Sequence, residues 1–267
     1  MTVLVRAPAT TANVGPGFDC AAVALDLWNE LEVSEGGGAD PEHLGVRAFS
    51  LLASPEGLDF RFTDRIPRER GLGSSAATVA LGLVAACAVK GETPDPETLL
   101  ALGAELEGHA DNLAATLAGG ATLTWDGRIA RIADSVPAVP IALIPEERTN
   151  TLESRAALPA EISHGDAAFT AGRAAVLGAA LASGSAELFA AALADRLHEP
   201  YRSPFLEQVR AGLTQDALGA TLSGSGPTVI VWARPEAAAA CEDDLREAYP
   251  GLTVLRLAVT PRGAASS

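Results

Sequence analysis

Residues 71–77 read Gly-Leu-Gly-Ser-Ser-Ala-Ala and lead into an apolar run that ends at Lys90. Two glycines let backbone N–H groups approach an anion, and two serines add hydroxyl donors. A helix starting here contributes unpaired amides and a partial positive charge. The chemistry these residues suit is holding a phosphate, although the same run also suits a Gly-Ser helix cap with no ligand. No lysine is needed: of 19 basic residues, 18 are Arg, and Lys90 is the one Lys. Lys90 precedes Gly91, where a cation favours a helix end. A lysine-dependent phosphate loop and a Schiff-base lysine are therefore both excluded. The spacing Gly71-x-Gly73-x-x-Ala76 also fits a dinucleotide fingerprint. That fingerprint follows an apolar strand, and residues 64–70 are charged and contain Pro67.

Two further glycine loops stand out. Residues 7–19 carry Asn13, Gly15, Gly17 and Asp19 after a strand-like run, and residues 223–228 read Ser-Gly-Ser-Gly-Pro-Thr. Either alone is a turn, but three polar glycine loops in one acidic chain point to a ligand site. The chain has 267 residues with 34 acidic against 19 basic, a net charge of −15. Nothing supplies the diffuse basic face that nucleic acid requires. Cys20, Cys87 and Cys241 have no close spacing and fit free thiols of a reducing cytosol. No cluster has the spacing of a structural zinc site. The N-terminus lacks a leader pattern, and the longest apolar stretch, 76–89, is too short for a bilayer, so a cytoplasmic chain without membrane contact is expected.

The elements that must position these loops follow from periodicity. Strands are expected over 2–7 (stopped by Pro8), 22–33, 58–63, 141–144, 217–222, 228–233 and 252–259. A hairpin over 121–125 and 128–132 turns on Asp126-Gly127. Helices are expected over 44–52, from the 71–77 loop to Lys90, and over 94–107, 167–181, 186–197, 206–213 and 235–249. Strands and helices mix without strict alternation, which reads as α+β in two lobes. The change at Pro137 and Pro140 divides them into 1–138 and 139–267.

Taken in order, the three loops resemble the three motifs of the GHMP small-molecule kinase superfamily. These are a Pro-x-x-x-Ala-Asn loop (Pro8 to Asn13), the Gly-Leu-Gly-Ser-Ser-Ala-Ala loop and the Ser-Gly-Ser-Gly-Pro-Thr loop. Within it the chain is similar to the homoserine kinases. Residues 12–19 (Ala-Asn-Val-Gly-Pro-Gly-Phe-Asp) carry the likeness, as do Glu107-Gly108-His109-Ala110-Asp111-Asn112, with Ala110 where that family has Pro. So do Thr151-x-x-x-Arg155 with Leu158-Pro159, and residues 195–202. The resemblance spans nearly the whole chain. It implies an N-terminal lobe like domain 2 of ribosomal protein S5 and a ferredoxin-like C-terminal lobe. It implies ATP with Mg²⁺, L-homoserine as acceptor in threonine biosynthesis, and it allows a homodimer; the alternatives are a kinase of the superfamily acting on another small alcohol, or a ligand sensor that kept the fold without catalysis.

Residue by residue, the resemblance places a phosphate loop over 67–77, with Pro67, Arg68, Gly71, Leu72, Gly73, Ser74, Ser75 and Ala76 against ATP. Ser75 and Glu107 would hold the metal, with Glu105 as the other candidate. Asn13, Asp19, Asp111, Asn112, Arg155 and Arg202 would bind the acceptor, and Thr151 and Arg155 would act at the reacting groups. Ser223, Gly224, Ser225 and Gly226 form the third motif. Asp19 suits the ammonium and an Arg the carboxylate of an amino acid. His109 and His198 fall inside the signatures and are expected to make structural hydrogen bonds.

Overall fold

The structure, a computed structural model, describes residues 2–149 and 151–266. The first half of the chain folds as β1 (Thr2–Asn13), β2 (Gly17–Glu35), α1 (Leu44–Ser50), β3 (Leu58–Thr63), α2 (Ser74–Lys90), α3 (Pro96–Glu107), α4 (Ala110–Ala118), β4 (Ala121–Trp125) and β5 (Arg128–Ala133). There follow β6 (Val139–Ile144), α5 (Thr151–Ala156), α6 (His164–Ser183), α7 (Ala186–Ala192), α8 (Glu199–Arg202), α9 (Pro204–Gly212), β7 (Ala217–Leu222) and β8 (Val229–Ala233). A short 3-10 turn, α10 (Ala238–Ala248), β9 (Thr253–Arg256) and β10 (Ala265–Ser266) complete the chain.

One antiparallel sheet runs β10-β1-β2-β4-β5. β2 is 19 residues long, so β4 pairs with its start and β3 with its end. Pro8 does not stop β1, as the sequence suggested. The strand continues to Asn13 through a register shift between Pro8 and Ala9. A bulge tolerates the missing N–H, and β10 pairs with Val5 and Arg6 and not with Pro8. The second sheet runs β7-β8-β6-β9, all antiparallel. With its helices this is the ferredoxin-like order expected for the C-terminal part. The last residues return to the first sheet through β10 and a bridge between Leu25 and Val259.

α2 carries the second glycine loop at its head and is buried on nearly every side. Its Ala-rich sequence, with Gly82 against α1, lets β1, α1, α3 and α4 approach closely. The central strands of the second sheet are buried on both faces. Ile230 and Trp232 of β8 join the large core below α2, while Val229 and Val231 face α9 and α10. Several helices depart from expectation: the short α5 and α8 were not expected, and α4 and α7 differ for local reasons. α4 was not anticipated, because no element was expected between residue 107 and the hairpin at 121, yet residues 109–112 form its N-cap and first turn. α7 stops at Ala192 rather than running to 197. The Asp195 carboxylate there accepts the amides of Leu197, His198 and Glu199 and starts a new turn. Among the described residues no helix is long and apolar enough to cross a membrane.

Candidate active site

The three glycine loops are stitched to one another. Asn13 ends β1 with a left-handed φ of 71°. Its Nδ2 donates to the Gly224 carbonyl at 2.7 Å, and its Oδ1 accepts the Asp19 amide at 3.0 Å. The Gly224 amide donates back to the Ala12 carbonyl at 3.1 Å. Ser223, fully buried, donates from Oγ to the Gly71 carbonyl at 2.6 Å and shares a hydrogen bond with Thr11 Oγ1 at 2.9 Å. Gly71 has no room for a side chain: a Cβ would fall within 3.0 Å of the carbonyl oxygens of Ser223 and Gly226.

Between the loops lies a cleft of about 490 Å³. Its lining includes Asn13, Asp19, Gly71, Gly73, Ser74, Ser75, Glu107, Asp111, Asn112, Thr151, Arg155, Arg202, Gly224 and Ser225, residues drawn from every motif in the chain. Gly73 caps α2 in a left-handed conformation with no side-chain hydrogen bond, so the first-turn amides start at the cleft uncapped. Other expected residues stand behind this lining. Leu72 and Ala76 are core. Arg68 turns outward to pair with Asp64. Pro67, Ser223 and Gly226 are not part of the cleft wall, and Glu105 is exposed away from it.

Charge is unevenly compensated. Ser75 Oγ donates to Glu107 Oε2 at 2.6 Å, yet burial still pushes the Glu107 carboxyl up to about 7. Asp111 is 3% exposed, and burial raises it too, although it accepts the Asn112 amide at 2.7 Å. Asn112 is held at both ends. Its Nδ2 reaches Asp111 at 3.3 Å, and its Oδ1 accepts from Thr10 Oγ1 at 2.7 Å. Arg155 and Arg202 both lie over the Phe18 ring, at 5.5 and 4.9 Å from its centroid. Burial, then the neighbouring Arg155 charge, lowers Arg202. α5 is fastened to the third loop through Thr151 Oγ1 against Ser225 Oγ, 3.3 Å, and Ser154 Oγ donating to the Ser225 carbonyl, 3.1 Å.

The sequence and the fold both have relatives. Residues 43–120 match the GHMP kinases N terminal domain, and residues 177–251 match the GHMP kinases C terminal domain. A homoserine kinase of Streptomyces avermitilis is 41% identical over 98% of this chain and 94% of its own. The chain belongs to the homoserine kinases of the GHMP kinase family. Another homoserine kinase, from Streptomyces coelicolor, is 42% identical over 88% of this chain and 86% of its own. The crystal structure of homoserine kinase from Cytophaga hutchinsonii superposes with a TM-score of 0.86 at 26% identity, over 100% of this chain and 97% of that one. The two-lobed α+β reading is thereby borne out.

In this GHMP kinase several residues in or behind the cleft wall were not singled out as site residues from the sequence. Thr10, which holds Asn112, is an ordinary strand threonine. Glu69, Arg148 and Thr149 are brought together by an ion pair of 3.1 Å between the two charged side chains and by the Thr149 amide donating to the Glu69 carbonyl, 3.1 Å. Arg70 reaches the Pro145 carbonyl at 2.9 Å and also the Glu146 carbonyl. Phe18 could have been found, since it lies between two motif residues. His198 makes the structural contact expected of it, Nε2 to the Gly15 carbonyl at 2.7 Å. Its ring also stacks on Phe18 with centroids 4.9 Å apart. Burial lowers its pKa, which favours a neutral ring donating from Nε2.

Proposed function

We propose that the chain phosphorylates the side-chain hydroxyl of L-homoserine from ATP, giving O-phospho-L-homoserine for threonine biosynthesis. One observation carries this reading beyond family membership. The uncapped start of α2 shares a cleft with a carboxylate and two guanidiniums, Asp19, Arg155 and Arg202. A polyanion and an amino-acid zwitterion can each be recognised there. The first-turn amides with Ser74 and Ser75 hold phosphate oxygens. Asp19 takes the ammonium, and Arg155 and Arg202 take the carboxylate. Asn13 and Asn112, each fixed by hydrogen bonds of its own, orient what remains.

Ser75 and Glu107 fit a hard divalent cation. Both offer oxygen, they touch, and the Glu107 carboxyl, raised by burial, has no positive partner among the described residues. Mg²⁺ keeps several waters and uses one or two protein oxygens beside phosphates, so two ligands suffice. ATP with Mg²⁺ supplies the phosphoryl group and screens its charge. The transfer would form a bond from the hydroxyl oxygen to γ-phosphorus and break the bond to the β–γ bridging oxygen, ADP leaving with that electron pair and the hydroxyl proton passing to solvent. The protein's part is alignment and charge stabilisation. ADP release measured with homoserine, mevalonate and galactose tests the assignment. Turnover should require homoserine, and turnover of either other alcohol in its place would refute it.

A further inference from the structure

The two side chains assigned to the opposite ends of the acceptor already hold each other. Arg155 Nη2 lies 2.7 and 2.8 Å from the two oxygens of Asp19. Both side chains are 42% exposed and line the cleft, so core packing does not impose the contact. The geometry is end-on, one nitrogen to two oxygens, rather than a parallel fork, and it leaves guanidinium donors for another carboxylate. Arg202 behaves differently: it lies over the same ring, and its polar partner is the Ser154 carbonyl at 3.3 Å.

We infer that the Asp19–Arg155 ion pair is an internal stand-in for the acceptor's zwitterion, so that the cleft rewards an alcohol only when it brings ammonium and carboxylate together. The inference rests on the homoserine reading of the cleft. A zwitterion opens one ion pair and forms two. An alcohol with an ammonium alone also opens one, forms one and strands Arg155. An alcohol with a carboxylate alone strands Asp19. A single charge therefore gains little from a site that nominally contains its partner. The pair discriminates by penalising the wrong ligand as well as by attracting the right one.

A crossed gain of function follows. With saturating Mg-ATP, wild type, Arg155→Gln and Asp19→Asn are each assayed on homoserine, 3-amino-1-propanol and 4-hydroxybutanoate. Where an analogue turns over too slowly, its Ki against homoserine is read instead. On homoserine both variants should lose about 10- to 150-fold in kcat/KM, the loss of a charged hydrogen bond. For 3-amino-1-propanol, Arg155→Gln should bind about two- to five-fold more tightly than wild type, read as Ki against homoserine because Arg155 is also expected at the reacting groups: a half-exposed pair no longer has to be opened. Asp19→Asn should gain by about the same factor on 4-hydroxybutanoate. Loss or no change in both crossed combinations, with homoserine turnover intact in wild type, overturns the inference alone. A wild type inert on homoserine refutes the proposed function and takes this inference with it. An unchanged KM for ATP shows that each variant is folded.

Discussion

Gly73→Ala tests the loop geometry at the smallest possible scale. Gly73 has φ +67°, and a Cβ there would fall within 3.0 Å of Thr10 Oγ1 and 3.1 Å from Asn112 Oδ1. Placing an L-residue in the left-handed region costs about 1–2 kcal/mol. Thr10 sits on a strand and is branched at Cβ, so it has little freedom to turn aside. Relief of the clash breaks its 2.7 Å bond to Asn112, worth about 1 kcal/mol. The sum is about 2–3 kcal/mol, or a fall of about 4–12 °C in Tm for a chain of this size. Asn112 loses its fixed orientation, so the KM for homoserine should rise together with that for ATP. In a Thr10→Ala background the clashing oxygen is gone, and Gly73→Ala should cost only its backbone share. The coupling between the two substitutions should be about 1 kcal/mol in urea unfolding. Strict additivity, or a Gly73→Ala protein with wild-type Tm and both KM values unchanged, would refute the reasoning.

Glu107 titrates near 7 when folded against 4.5 as a free group, so the native state holds the extra proton between those values and unliganded stability falls as pH rises through that window. Glu107→Gln should flatten part of that slope in Tm measured from pH 4.5 to 7.5; parallel curves for the two proteins would sink the assignment. Arg202→Lys keeps the charge but loses the planar group over Phe18, so the KM for homoserine should rise about 10-fold or more while that for ATP stays put. His198→Ala removes the contact to Gly15 and the ring behind Phe18, and should cost about 2–4 kcal/mol in urea unfolding. It should also raise the homoserine KM, and a stability loss with unchanged KM would show that Phe18 needs no backing.

The local elements were legible because each carries its own physics. The Asp126-Gly127 hairpin, the helix from Ser74 to Lys90 and the doubly buried strand Val229–Ala233 are written in turn chemistry and periodicity. The phosphate loop was legible for the same reason, since glycines, serines and a helix start act within a few residues. Pro8 misled because a bulge, a property of the paired strands, decides whether proline is tolerated. α4 gave no helical signal because the polar His109, Asp111 and Asn112 interrupt the apolar periodicity, and the burial of the Asp111 carboxylate in its first turn shows only in the packed chain. Tertiary structure put Glu107, the first of the two expected candidates, on the cleft and left Glu105 outside it, and it alone decided that Thr10 holds Asn112 across 102 residues and that Asp19 meets Arg155 across 136. Hydrogen bonds and ion pairs act over about 3 Å of space regardless of distance along the chain. Residue types and near spacing can therefore name the donors and acceptors of a site, while only the packed fold chooses which of them become partners.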